Sequence, residues 1–100
     1  MEDFVDVIGY EGLYRINRNG DVWSCRMNRL MKPTLNTCGY YVIKVNKKTK
    51  YIHRLLALQF LPNPDNLPEI DHVDRNKTNN NLENLRWVSR STNEKNKDKN

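Results

Sequence analysis

The sequence predicts an α+β fold: a small antiparallel β-sheet in the N-terminal region, followed by a strand–loop–strand–helix core. Three observations carry this. Arg18-Asn19-Gly20-Asp21 places Asn-Gly, the strongest short-range hairpin signal, between two alternating runs. His53 to Leu61 reads as one amphipathic helix, with Leu55, Leu56 and Phe60 apolar. Glu69 to Asn96 reads as a strand, a polar loop, a second strand and a helix start. Ser91 and Glu94 have the spacing of a capping box, so that last helix is expected to begin at Ser91.

The chain of 100 residues is the size of one domain, or one domain with an appendage. We divide it into residues 1–50, a β-rich module, and residues 51–100, which carry the strand–loop–strand–helix core. Only 37% of residues are hydrophobic and 29% are charged, which predicts a small core and some loose loops. The net charge of +5 favours polyanionic partners. Cys25 and Cys38 have no CxxC spacing, which argues against structural zinc and against a secreted disulfide framework. No apolar run approaches transmembrane length, and the Met1-Glu2-Asp3 start does not resemble a signal peptide. A soluble, cytoplasmic protein with no membrane partner is expected.

The β-rich half can be taken in order. Two glycines in Ile8-Gly9-Tyr10-Glu11-Gly12 mark a tight turn. Tyr14 to Asn17 alternates as a strand, and Asp21 to Cys25 is its return partner. Tyr10, Tyr14 and Trp23 are expected to pack a thin sheet. Leu30 to Leu35 reads as an edge strand, because Pro33 cannot donate to a ladder. Asn36 to Gly39 is a turn, Tyr40 to Val45 the clearest strand, and Asn46 to Lys50 a second turn. Leu61-Pro62-Asn63-Pro64 breaks the helix that follows.

The segment after that break carries chemistry. Ile70 to Val73 is β-branched and contains Asp71-His72; Asp74 to Asn81 is a polar loop; Arg86 to Ser89 is the second strand. A neutral imidazole can take a proton from water near pH 7. A hard cation such as Mg²⁺ sits on one or two protein oxygens and leaves its other positions to water and phosphate. Asp71 supplies a carboxylate, and Asn93, in the first turn of the last helix, an amide oxygen. Adjacent residues on a regular strand point to opposite sides, so a joint Asp71-His72 site requires a bend or bulge there.

Residues Tyr51 to Asn96 resemble an HNH nuclease of the ββα-metal class, in the group that includes phage and intron-encoded homing endonucleases. The matching pieces are Ile52 to Leu55, Asp71 to Asp74, Asn76 to Asn80, Asn84 to Val88, and Asn93. Phe4 to Ser24 is similar to the small modular motif that precedes the HNH core in homing-type nucleases, on Gly9 to Gly12, Tyr14, Ile16, Gly20, Val22 and Ser24. The resemblance implies His72 as general base and Asp71 with Asn93 as metal ligands. It implies Asn84 as the residue that braces the loop and orients the base. It implies one divalent metal ion, Mg²⁺ with Mn²⁺ able to substitute, and products with a 5′-phosphate and a 3′-hydroxyl. His53 is expected to be a core or capping histidine.

Charge adds to this. Between Val22 and Pro64 there is no Asp or Glu, while Arg26, Arg29, Lys32, Lys44, Lys47, Lys48, Lys50 and Arg54 are all basic. A two-stranded ribbon fits a DNA major groove, and Lys and Arg contacts to phosphate supply non-specific affinity. Lys44, Lys47, Lys48, Lys50, Arg54, Arg75, Lys77, Arg86 and Arg90 are therefore candidate DNA contacts. The reading is a metal-dependent, homing-type DNA endonuclease acting on double-stranded DNA as a monomer or weak dimer, encoded by a phage or mobile element. A DNA-binding module with little or no catalysis is the alternative. A basic RNA-binding or ribosome-associated protein rests on charge alone.

Overall fold

The computed structural model describes residues 3–90. Its first sheet is an antiparallel meander of β1 (Val5–Asp6), β2 (Tyr14–Ile16), β3 (Val22–Ser24) and β4 (Arg29–Leu30). A second sheet orders β5 (Thr34–Leu35), β6 (Tyr41–Val45) and β7 (Lys48–Tyr51). Helix α1 (Ile52–Phe60) follows β7 directly. The hairpin of β8 (Glu69–His72) and β9 (Leu85–Val88) comes last, with a 3-10 turn, Leu82–Asn84, leading into β9.

The Asn-Gly signal marks a real hairpin, wider than a two-residue turn. Ile16 pairs with Val22, so five residues connect the strands. Asn17 holds them: its Oδ1 accepts from the Asn19 and Asp21 amides at 3.1 and 2.9 Å, and its Nδ2 donates to Asp21 at 3.1 Å. Gly20 is favoured here on two counts. Its φ is +88°, and a Cβ would lie 3.2 Å from both Ile52 Cγ2 and Leu56 Cδ1 on α1.

Two expected elements differ. Leu30 to Leu35 is not one edge strand. It splits at Lys32-Pro33 into β4, which pairs with β3, and β5, which pairs with β6. Proline removes a ladder donor and restricts the residue before it, which favours a change of sheet at this point. Asn46 to Lys50 is not all turn. Asn46 and Lys47 take φ of +54° and +70°, and Val45 already pairs with Lys48. A two-residue turn with both φ positive matches strand twist, so the ladder resumes at once.

The core draws on both sides of the 50/51 boundary. Val7, Ile16, Val22, Ile43 and Val45 pack with Ile52, Leu55, Leu56 and Leu85 in one cluster. Leu56 is fully buried, and such burial typically contributes about 1.5–3 kcal/mol. Phe60 is only partly buried, with the Arg18 guanidinium 5.1 Å above its ring. A polar tie reinforces the junction, the Ile8 amide donating to Gln59 Oε1 at 3.0 Å, while the Asn46 amide donates to the Tyr14 hydroxyl at 3.1 Å within the N-terminal half. The helix expected from Ser91 lies outside the described residues.

Candidate active site

Asp71 and His72 sit at the end of β8. The pairing of β8 with β9 is one-for-one, from Glu69↔Val88 through Ile70↔Trp87 and Asp71↔Arg86 to His72↔Leu85. No bulge separates Asp71 from His72, so they belong to opposite faces of the hairpin. The bend comes one residue later, in the turn that starts at Val73. The Arg75 amide donates back to the His72 carbonyl at 2.9 Å, and Arg75 itself takes φ of +64°.

The polar loop is held by its own side chains. Asn84 is buried, accepts from the Asp74 amide at 3.0 Å, and donates through Nδ2 to Asp74 Oδ1 and the Asn79 carbonyl at 2.9 Å each. Asp74 also accepts from the Asn76 amide at 2.8 Å and from Asn79 Nδ2 at 2.9 Å. These bonds, led by the one from Asn79, favour the carboxylate and hold Asp74 below its ordinary pKa. The run of Asn and Asp is thus a set of short-range hydrogen-bonding devices that shape the loop without an apolar core.

The product of this loop is the placement of Asn80 against His72. His72 is 6% exposed, and its Nε2 lies 2.8 Å from Asn80 Oδ1. An amide oxygen can only accept, so Nε2 carries the hydrogen and donates it. On its other sides His72 meets aromatic rings. The His53 ring stands edge-on to it with centroids 4.9 Å apart, and Tyr40 lies at 6.0 Å. Tyr40 and Tyr51 also flank His53, at 5.2 and 5.3 Å. Burial, then the proximity of His72 and Arg54, lowers the His53 pKa to about 4. Its Nδ1 is buried without a hydrogen-bond partner among the described residues, so the ring is a neutral packing element, as a core histidine should be.

Asp71 has a different neighbour. Arg86, opposite it on β9, donates through Nε and Nη2 to Asp71 Oδ2 at 3.2 and 2.9 Å. Among the described residues no three His, Cys, Asp or Glu side chains form a metal cage. Asn93 lies outside them.

The nine candidate DNA-binding residues divide into two groups. Lys44, Lys47, Lys48 and Lys50 belong to the β6–β7 hairpin, all exposed except half-buried Lys50. The rest carry interactions within the chain. Lys77 donates to the Cys38 carbonyl at 3.0 Å and stands 5.1 Å above the Tyr40 ring. Arg86 pairs with Asp71 and Arg90 with Glu69, the latter at 3.4 Å. Arg54 lies 5.9 Å over the Trp87 ring. Arg75 is exposed on the loop and is also engaged within the chain. Sequence reasoning did not single out Asn80, Asp74, Tyr40 or the Arg86–Asp71 pair. Asn80 stood inside a recognised motif, but spacing alone does not say which of the asparagines in the loop and turn reaches the histidine.

Comparison with known proteins gives this geometry a context. A family model described as HNH endonuclease matches residues 50–95, and a NUMOD4 motif matches residues 2–46. The chain is 36% identical over 98 residues to the DNA endonuclease I-HmuI of Bacillus phage SP01, covering 94% of this chain and 56% of that protein. It is 38% identical over 78 residues to the H-N-H endonuclease F-TflII of Escherichia phage T5, covering 72% of this chain and 40% of the relative. An uncharacterized HNH endonuclease of Acanthamoeba polyphaga mimivirus is 39% identical over 80 residues, 76% of this chain and 24% of its own length. A solved structure of DNA binding and cleavage by the HNH homing endonuclease I-HmuI superposes with a TM-score of 0.79 at 35% identity, covering 95% of this chain and 57% of that one. The chain therefore spans between 24% and 56% of the length of these curated relatives. With the α+β architecture, the braced loop and the buried His72 beside Asp71, these matches establish that the chain belongs to the HNH endonucleases, its HNH portion preceded by a NUMOD4 motif.

Proposed function

We propose that this chain is a metal-dependent DNA endonuclease of the homing type, which nicks or cuts phosphodiester bonds in double-stranded DNA. The observation that carries the reading is His72: a buried imidazole held by one hydrogen bond, at the mouth of a loop braced by Asn84.

In this reading His72 takes a proton from water as its oxygen attacks phosphorus. The bond to the 3′ oxygen breaks and that oxygen takes a proton from solvent, leaving a 5′-phosphate and a 3′-hydroxyl. Asn84 keeps the loop in the shape that presents the histidine. HNH endonucleases generally use a divalent metal ion, whose charge offsets the negative charge that builds on phosphate and leaving oxygen. Asp71 fits such an ion: it is a hard oxygen donor on the hairpin, and one or two such donors suit Mg²⁺. Asp71 and Asn93 would hold it, with Mn²⁺ able to substitute. Residues 1–50 supply DNA contact, chiefly through the β6–β7 hairpin, and residues 51–100 the chemistry. The protein acts as a monomer or weak dimer in the cytoplasm of a host cell. No helix of the described residues is long and apolar enough to cross a membrane.

The test is cleavage of a supercoiled plasmid with Mg²⁺ or Mn²⁺ against EDTA, using the wild-type chain and His72→Ala. Nicked or linear product is expected only with metal. His72→Ala should lose about 10²–10⁴-fold in rate, the usual share of a general base, with DNA affinity nearly unchanged. Binding without cleavage by the wild type would leave a DNA-binding module; a fully active His72→Ala would remove the histidine from the chemistry.

A further inference from the structure

We infer that Asn80 is the positioning residue of the proposed base, fixing the His72 ring and its tautomer by accepting the Nε2 hydrogen. The inference rests on the reading of His72 given above. A general base must present a lone pair in a fixed direction. An imidazole has two nitrogens, and the partner of one decides which is left to react. His72 Nε2 donates to Asn80 Oδ1 at 2.8 Å, which leaves the lone pair on Nδ1.

The bond is positioned more firmly than an exposed pair would be. His72 is buried, and the edge-on His53 ring and Tyr40 restrict its rotation from the other side. Asn80 is half-buried at the end of the loop that Asp74, Asn79 and Asn84 tie together. A chain of hydrogen bonds thus runs from Asn84 through the loop backbone at Asn79 to its neighbour Asn80, and from the Asn80 side chain to His72. The Asn84 side chain bonds Asp74 and the Asn79 carbonyl rather than the imidazole, so its influence passes through Asn80. Losing the acceptor leaves a buried N–H without a partner and frees the ring to turn, so the defect should fall on the chemical step.

Two substitutions separate this from ordinary packing. Asn80→Leu keeps the volume and removes the acceptor. Asn80→Asp keeps an oxygen in place. The readouts are kcat and KM on plasmid, and the downfield imidazole N–H resonance of His72 in ¹⁵N-labelled protein without DNA or metal. His72→Ala runs alongside in both. The wild type should show a slowly exchanging His72 Nε2–H signal. Asn80→Leu should lose it and lose about 10- to 100-fold in kcat, with KM changed less than about twofold. Asn80→Asp should keep the signal and stay within a few-fold of wild-type kcat.

Absence of the signal in the wild type would overturn the inference without any variant. So would wild-type turnover by Asn80→Leu while His72→Ala is dead, which leaves the base assignment standing. Wild-type turnover by His72→Ala would overturn both.

Discussion

Arg86 Nη2 lies 2.9 Å from Asp71 Oδ2, and the two residues are direct cross-strand partners in the β8–β9 hairpin. A guanidinium thus shares the carboxylate proposed to hold the metal. Its charge opposes a cation at that oxygen while it orients the carboxylate. A unit charge and a divalent ion about 4 Å apart repel by about 2 kcal/mol when fully solvated, and salt screening cuts this to about half, roughly a fivefold change in affinity. Arg86→Gln is therefore expected to tighten Mn²⁺ or Mg²⁺ binding by about fivefold, measured without DNA by the metal-dependent rise in melting temperature. Equal or weaker metal affinity in this variant would show that Arg86 is only a strut.

Asn93 is the second ligand proposed for the metal. Asn93→Ala removes no apolar group, so stability should change by no more than about 0.5 kcal/mol. Cleavage should fall sharply at low Mg²⁺ and recover in part at high Mg²⁺ or with Mn²⁺. Asn93→His should keep some activity, better with Mn²⁺ than with Mg²⁺, because imidazole is a poorer ligand for the harder ion. A metal-titration curve for Asn93→Ala that overlays the wild type would exclude the residue as a ligand.

The β6–β7 hairpin carries Lys47 in its turn and Lys48 at the start of β7, both exposed. Replacing both with Ala should weaken binding to any duplex sequence. The slope of log affinity against log salt should flatten by roughly one unit for each phosphate no longer neutralised by a lysine. Filter binding across a salt series reads this directly; an unchanged slope means the hairpin is merely solvated.

His53 makes stability depend on pH. Its folded pKa is about 4, against 6.5 for the ordinary imidazole. Between these values the unfolded chain binds more protons than the folded one, so stability rises with pH. The contribution is fully present above 6.5 and is lost as pH falls toward 4. At about 1.4 kcal/mol per unit, discounted for the exposed part of the ring, the loss is on the order of 2 kcal/mol. Tyr40, Tyr51, His72 and Arg54 face or flank the ring, and His72 and Arg54 add to the resistance against a second positive charge. Urea melts at pH 7.5 and 4.5 should show this loss in the wild type and a markedly smaller one in His53→Phe. Equal losses in the two proteins would assign the effect to other groups.

Much of this was legible in the chain. The Asn-Gly hairpin, the apolar face of α1, the two strands of the final hairpin and the break at Pro62 are local signals, and local chemistry wrote them. The Asp71-His72 pair stood out because its surroundings made a motif. What could not be read was set by partners far away in sequence. Pro33 spoke against a central strand but not for a switch between two sheets, which depends on what β3 and β6 offer as partners. Lys77 looked like a phosphate ligand on charge alone. Its bond to Cys38, 39 positions earlier, depends on how the Asn36–Tyr40 turn meets the loop. Asn80 was one polar residue among many until the loop was folded.

Gly20 gives the architecture a bearing on how such proteins diversify. It belongs to the N-terminal motif, yet a side chain there would meet Ile52 and Leu56 of the helix that opens the HNH portion. Modular pieces are easily exchanged when a loose tether joins them. Here the seam is a close-packed one, fitted to a residue without a side chain. A recombination event that joined a foreign N-terminal piece at residue 50 would inherit the helix and its demand for a glycine opposite. Compatible donors are then restricted to pieces that already carry a glycine at this turn, and lineages should exchange the two parts together more readily than one at a time.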